Sequence, residues 1–349
     1  VCSSDLTMPI LGHVMFFAHG ETLTVTASNI ELELISHAEA EIKEQGSICV
    51  PGKKLLDIVK ASNAEMISLK LVNERLKVKS GKSNYTLSVL PASDFPALGG
   101  NELMTPAMDL TINRETFKTM LNKVVLSMAA NDTRYYLNGL CVSVNKGNLA
   151  LIATDGHRLS VQSCATEAND ISAIIPRGSI AEIAKFIKSG SEDIVLRFND
   201  RYFSLQIDGS TLNSKLIDGK FPGYSRVIPV GPLNSITLNR VEFISAIERV
   251  AVIGDKSGFI SVEINKDKLI LKSINNETEQ SEDEIDIDYS GNDCIIGLTV
   301  RYLHDALIKL ESENIEFCFS ERDSTGSQIL IKESDSVGDN LSVIMPRRL

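Results

Sequence analysis

Asn113-Arg-Glu-Thr-Phe117 recurs 126 residues later as Asn239-Arg-Val-Glu-Phe243, and this return decides the fold. Phe95-Pro96 returns at the same offset as Phe221-Pro222, and Cys49-Val-Pro51 returns as Ile174-Ile-Pro176 at 125. Gly12 and Gly20 lie 127 residues before Gly139 and Gly147, and Pro222 lies 124 before Pro346. Asn145-Lys146 through Leu149 aligns with Asn265-Lys266 through Leu269 at 120. Such a period is far longer than the roughly 20–50 residues of solenoids and propeller blades. A unit of that length can bury its own core. The 349 residues therefore read as three copies of one domain, expected at 1–106, 107–231 and 232–349.

Within a copy, Phe117, Leu121, Val124, Val125 and Met128 recur near helical spacing, predicting a helix over Asn113–Met128 with Asn113 as its N-cap. Alternating strands follow at Leu140–Val144 and Leu149–Ala153, around a Gly-bearing turn at Asn145-Lys-Gly147. Pro176 opens a second helix over Arg177–Ser189, and strands at Ile194–Phe198 and Tyr202–Ile207 close the copy. Two helices against antiparallel sheets make an α+β domain. The first copy is short, with eleven residues before Gly12 where the middle copy has about thirty before Gly139. Residues 1–6, Val-Cys-Ser-Ser-Asp-Leu, lack an initiator Met and match one frame of a library adapter. They are expected to be foreign to the gene, joined to a copy missing its opening strand and helix.

Composition is that of an ordinary globular chain, 43% hydrophobic and 23% charged. No stretch reaches the ~18 apolar residues of a membrane span, and no secretory signal is visible, so a cytoplasmic protein is expected. The six cysteines are scattered without a CxxC, which favours reduced, half-buried or core thiols over a metal site. The net charge of −11 looks wrong for a nucleic-acid binder until it is divided. Pro51–Ser62, Asn113–Met128 and Arg177–Ser189 each carry +2, while Asn239–Ile253 and Val300–Glu311 balance to 0. The helices thus total +6 and the rest of the chain carries −17. Helices turned toward a polyanion, with strands turned to solvent, give such a segregation. The cations concerned are Lys53, Lys54, Lys60, Arg114, Lys118, Lys123, Arg177, Lys185 and Lys188.

Gly81-Lys82-Ser83 lacks the first glycine of a phosphate loop, since position 76 is Leu, and it lies between alternating runs. The acidic stretch Glu277–Asp288 reads as a strand with one solvated face. In Thr154-Asp-Gly-His-Arg-Leu159, three readings stand: an Asp-Gly turn, a binding site, or an acid–base pair of Asp155 and His157. No nucleophile motif accompanies the pair, and the first copy has Ser28-Asn29 at the matching place.

Arg134-Tyr-Tyr-Leu-Asn-Gly139, Ala153-Thr-Asp-Gly-His-Arg-Leu159, Ser214-Lys-Leu-Ile-Asp-Gly-Lys-Phe-Pro222 and Met345-Pro-Arg-Arg-Leu349 together resemble the bacterial DNA polymerase III β subunit family, the sliding clamps. The resemblance runs from Thr7 to Leu349. It implies three tandem clamp domains per chain and a head-to-tail dimeric ring, with helices lining a hole. The implied function is a processivity factor without catalytic residues or cofactor. Its implied partners are encircled duplex DNA of any sequence, the replicative polymerase's catalytic subunit, the clamp loader and other proteins bearing a clamp-binding motif; no membrane is implied.

Carried over residue by residue, the resemblance implies a partner-peptide pocket of Leu137, Thr154, Gly156, His157, Arg158, Leu159, Pro222, Arg226, Val227, Tyr302, Ser327, Val343, Met345, Pro346 and Arg348. Apolar members would receive hydrophobic peptide side chains, while Arg and His would fix polar groups. It also implies DNA contacts at Asn131, Tyr135 and Tyr136, and a subunit interface at Lys82, Tyr85 and Leu87 with Val252 and Ile253. Arg347 stands where an apolar Met is common, which turns the expected peptide preference toward acidic flanks.

Overall fold

The computed structural model describes residues 8–98, 108–230, 233–254, 258–275, 277–320, 328–334 and 340–348. The chain packs as two compact units, one of 1–114 with 181–216, the other of 115–180 with 217–349. These units cut across the repeat because two sheets run on from one copy into the next.

In the first unit a nine-stranded sheet has the order Leu90–Pro91, Gly46–Pro51, His13–His19, Thr22–Ser28, Leu32–Glu39, Ser210–Lys215, Tyr202–Ile207, Asp193–Phe198, Met108–Asn113. Copies one and two join in it where Leu32 pairs with Ser214 and Leu34 with Leu212. A second sheet of Ile67–Val72, Arg75–Ser80 and Ser83–Ser88 carries helix α1 (Gly52–Ala61) on the same core. Arg75–Ser80 alternates exposed and buried residues, as a strand with one solvated face must. Gly81-Lys82 forms the turn between two of these strands, not a phosphate loop.

In the second unit an eight-stranded sheet runs Ile171–Pro176, Gly139–Asn145, Asn148–Thr154, Arg158–Ala165, Leu341–Ile344, Ile329–Glu333, Asn314–Phe319, Asn234–Asn239. Copies two and three join where Arg158–Val161 pairs with Ile344–Leu341. A four-stranded sheet of Gln280–Asp286, Lys268–Ile274, Phe259–Asn265 and Cys294–Thr299 completes it. Gln280–Asp286 lies in the acidic stretch and has one largely solvated face, as its alternation predicts.

Every α-helix among the described residues begins at the residue after a strand ends. Strands ending at Pro51, Pro176 and Thr299 run into α1, α3 (Arg177–Phe186) and α5 (Val300–Leu307). Those ending at Asn113 and Asn239 run into α2 (Arg114–Val124) and α4 (Arg240–Ala251). The Asn239 side chain accepts the Val241 and Glu242 N–H groups, satisfying two of the four donors a helix start leaves over. Phe243, Ala246, Ile247 and Val250, spaced i, i+3, i+4 and i+7, are buried beneath α4. α2 and α3 are shorter than their periodicity suggests. Ile187 and Lys188 beyond α3 give their carbonyls to the Arg114 guanidinium, and α2 gives way to a 3₁₀ turn at Val125–Ser127.

Cys49, Cys141, Cys294 and Cys318 are buried and Cys164 is half-buried, all as free thiols. Burial, then Asp94, pushes the Cys49 thiol up to about 11, and burial pushes Cys141 up to about 12 against a contact from Ser172. Both are inert at neutral pH. No helix among the described residues is long and apolar enough to cross a membrane.

Candidate functional site

The Thr154–Leu159 segment is a turn that forms one wall of a cavity. Asp155 Oδ1 accepts the N–H groups of His157 and Arg158 at 2.9 and 3.1 Å, and Thr154 Oγ1 accepts that of Gly156 at 3.1 Å. Asp155 Oδ2 receives Arg158 Nε at 3.0 Å, so this carboxylate is committed to Arg158 and the turn. His157 stacks on Tyr302 with ring centroids 6.2 Å apart. Asp155 and His157 therefore form no acid–base pair.

Gly156 has φ +88°, and a Cβ there would meet the Arg134 guanidinium at 2.9 Å. Arg134 lies across this turn, donating to the Asp155 carbonyl at 3.2 Å. Its Nε and Nη2 also hold Asp132 at 3.0 and 2.8 Å. The side-chain and backbone hydrogen bonds from Arg134 hold the Asp132 carboxyl down at about 2.

The cavity has a volume of about 200 Å³. Of the expected pocket residues it gathers Leu137, Thr154, Gly156, Arg158, Leu159, Pro222, Val227, Val343 and Met345. Arg134, Tyr136, Gly223 and Tyr224 line it too, although Tyr136 was expected at DNA and the other three were not foreseen. His157, Arg226, Tyr302, Pro346 and Arg348 are not among its lining. Ser327 lies outside the described residues. Met345 N donates to the His157 carbonyl at 2.9 Å, which draws the final segment against the cavity wall. Two residues on, the Arg347 guanidinium lies 5.7 Å from the Phe259 ring centre.

The basic helix residues divide into two groups. Lys53, Lys54, Lys60 and Lys188 are exposed, and Lys118 and Lys185 pair at the surface with Glu115 and Glu182. Three others spend charge on groups of the same chain, Arg177 while exposed and Arg114 and Lys123 while partly buried. Arg114 collects the carbonyls of Ile187, Lys188 and Ser191 beyond α3, where a cation suits the helix dipole. Arg177 Nη1 donates to the carbonyls of Met128 and Ala129 at 2.7 and 3.1 Å. Lys123, partly buried, forms a 2.6 Å ion pair with Glu333. Burial pushes the Glu333 carboxyl up, but Lys123 and the N–H groups of Glu311 and Ser312 outweigh it and hold the net value below the ordinary range. A charge sum over sequence cannot tell a solvated cation from one capping a carbonyl.

Asn131 (φ +60°) and Tyr135 are exposed on the loop that carries Arg134. At the expected interface Lys82, Tyr85 and Val252 are exposed and Ile253 is half-buried. Leu87 is instead buried in the first unit's core with Leu76 and Val78, because its place in the strand turns it inward.

Family models for the DNA polymerase III beta subunit match this chain throughout: the N-terminal domain at residues 1–99, the central domain at 111–223 and the C-terminal domain at 225–348. The beta sliding clamp of Pseudomonas aeruginosa is 33% identical over 351 residues, spanning 98% of this chain and 93% of the relative. The chain belongs to the beta sliding clamp family. The Escherichia coli beta sliding clamp is 31% identical over 350 residues, with the same shares covered. The crystal structure of the P. aeruginosa clamp bound to griselimycin superposes with a TM-score of 0.94 at 32% identity, covering all of this chain and 94% of that one. The expected loss of an opening strand and helix gains no support from these matches. As a beta sliding clamp the protein comprises three clamp domains and is a processivity factor, a non-catalytic subunit of DNA polymerase III.

Proposed function

We propose that two copies close head to tail into a ring around duplex DNA, and that the Leu137–Met345 cavity takes up apolar side chains of a short peptide on the polymerase subunit, the clamp loader and other partners. The cavity carries this reading. Leu137, Leu159, Val227, Val343 and Met345 present an apolar surface beside the polar edge of Arg134, Thr154 and Arg158, the make-up of a site for a hydrophobic anchor. Griselimycin, seen on the P. aeruginosa clamp, is expected in the same cavity here.

We place the domain limits at 1–106, 107–231 and 232–349, following the repeat. Lys53, Lys54, Lys60, Lys118, Lys185, Lys188, Asn131 and Tyr135 are the side chains we assign to DNA, which they would hold by charge and stacking without reading sequence. Lys82, Tyr85, Val252 and Ile253 are assigned to the ring closure, and the cytoplasm, where chromosome and polymerase lie, is the compartment. Deleting Met345–Leu349 tests the cavity. It removes part of one wall, Met345, and should weaken griselimycin by about 2–4 kcal/mol, as at interface hot spots, with the helices left intact. Binding at the intact protein's affinity would overturn the assignment. For the ring, protein loaded on closed circular DNA should stay and protein on linear DNA should slide off; equal loss from both would exclude encirclement.

A further inference from the structure

Arg158 is 6% exposed, and a cation buried so far persists only among partners that replace its water. Its Nε holds Asp155 within its own turn, and one Nη2 proton goes to the Leu126 carbonyl. Nη1 donates at 2.6 Å to Asp305, 147 residues later on α5. Tyr302, one helical turn before Asp305, lays its ring under the same guanidinium at 4.7 Å. Asp155 is already engaged in building its turn, whereas the Asp305 carboxylate has Arg158 as its near partner and exposed Arg301 at 3.7 Å.

We infer that Asp305 is a positioning residue for the peptide pocket: from the third copy it fixes the Arg158 guanidinium in the pocket wall and thereby sets the pocket's affinity. This rests on the pocket reading above. Arg158 lines the cavity, and its guanidinium is engaged by Asp305, the Tyr302 ring and the Leu126 carbonyl. Without Asp305, the Nη1 side of the guanidinium loses its carboxylate. The side chain then seeks water, and the cavity that it lines is open to it. Ligand would have to displace a charged group to enter. The same bond ties the pocket turn of the second copy to α5 of the third, so a shift of α5 would be felt in the pocket.

The test uses the full chain with griselimycin as probe and reads affinity by calorimetry and folding by thermal melt. Asp305→Ala should weaken griselimycin about tenfold, within the range of coupling between contacting residues, and Asp305→Asn should weaken it less. Asp305→Glu should restore most of the affinity. On an Arg158→Gln background, Asp305→Asn should add nothing, because Asp305 acts through Arg158. A residue that merely holds the fold would lower the melting temperature of Asp305→Asn while the folded protein kept its affinity, and that result overturns the inference. If Asp305→Ala does not fold, the Asn and Glu variants decide the matter. Failure of the unaltered protein to bind, or binding untouched by Val343→Asp, would overturn the pocket reading and this inference with it. Binding lost with Val343→Asp but kept at full affinity in Asp305→Ala and Asp305→Asn would overturn this inference alone.

Discussion

The junction of copies one and two and that of copies two and three share one backbone and differ in what they hold. Ser28-Asn29-Ile30-Glu31-Leu32 folds as Thr154-Asp155-Gly156-His157-Arg158 does. Asn29 Oδ1 accepts the N–H groups of Glu31 and Leu32, and Ser28 Oγ accepts that of Ile30, matching the bonds of Asp155 and Thr154. The third residue has a positive φ in both, +76° at Ile30 and +88° at Gly156. Each turn opens a strand that pairs with the next copy over four residues. At the first junction the fifth position is Leu32, 2% exposed, and the buried carboxylate beside it is Glu33, which takes the Asn213 amide and the Leu98 N–H. At the second junction the fifth position is Arg158, with two carboxylates from different copies around it. The turn belongs to the repeat; the cavity belongs to the side chains laid on it.

Arg158→Ala should break this comparison hardest. It strands Asp155 and Asp305 without their cation, a loss of about 3–5 kcal/mol, and it removes griselimycin binding. Leu32→Ala should cost a similar ~2–4 kcal/mol by leaving a cavity yet leave griselimycin affinity unchanged. Urea melts and calorimetry on both variants check this. Equal loss of ligand would mean that the two junctions are coupled.

The next largest effect is at the Lys123–Glu333 pair of the second junction. Lys123→Met leaves a buried carboxylate and should cost roughly 3 kcal/mol at pH 7. Because Glu333 is held below its unfolded value, its contribution is complete above that value, ~4.3, and is lost as pH falls through the lower folded one. The Lys123→Met variant should therefore show a flatter loss of stability in acid than the unaltered protein, measured by denaturant midpoints from pH 6 to 3.

The two glycine-type positions give the smallest and sharpest contrast. Gly156→Ala meets both a left-handed backbone and the Arg134 guanidinium, and should lose about 1–2 kcal/mol. Ile30→Gly relieves a β-branched residue of the same strain and should gain ~0.5–1 kcal/mol after the extra chain entropy of glycine is counted. Opposite signs in paired urea melts support a common turn; equal signs break it.

The repeat and the helix starts were legible because they rest on local chemistry. Asn113, read as an N-cap, stands directly before α2, and Pro51 and Pro176 stand directly before α1 and α3, so these starts declare themselves within a few residues. Most of the pocket's apolar wall followed from the family resemblance. What stayed hidden are partnerships made across long separations. Nothing around Lys123 announces Glu333, and nothing around Arg158 announces Asp305, since each partner is fixed by how the sheets and helices stack. The polar rim was missed for a related reason. Arg134 joins the cavity by folding back on the Asp155 carbonyl, a contact set by a glycine whose lack of a Cβ reads in sequence as an ordinary turn.

The pairing of Ser160 with Ser342 also has a meaning for how the molecule is made. Their hydroxyls lie 3.1 Å apart although 182 residues separate them along the chain. At a synthesis rate of ~5–20 residues per second, the strand at Arg158 waits roughly 10–40 s for its neighbour. Until Leu341–Ile344 arrives, that strand edge is bare and the cavity lacks the wall given by Val343 and Met345. A chain still on the ribosome therefore carries an unfinished cavity.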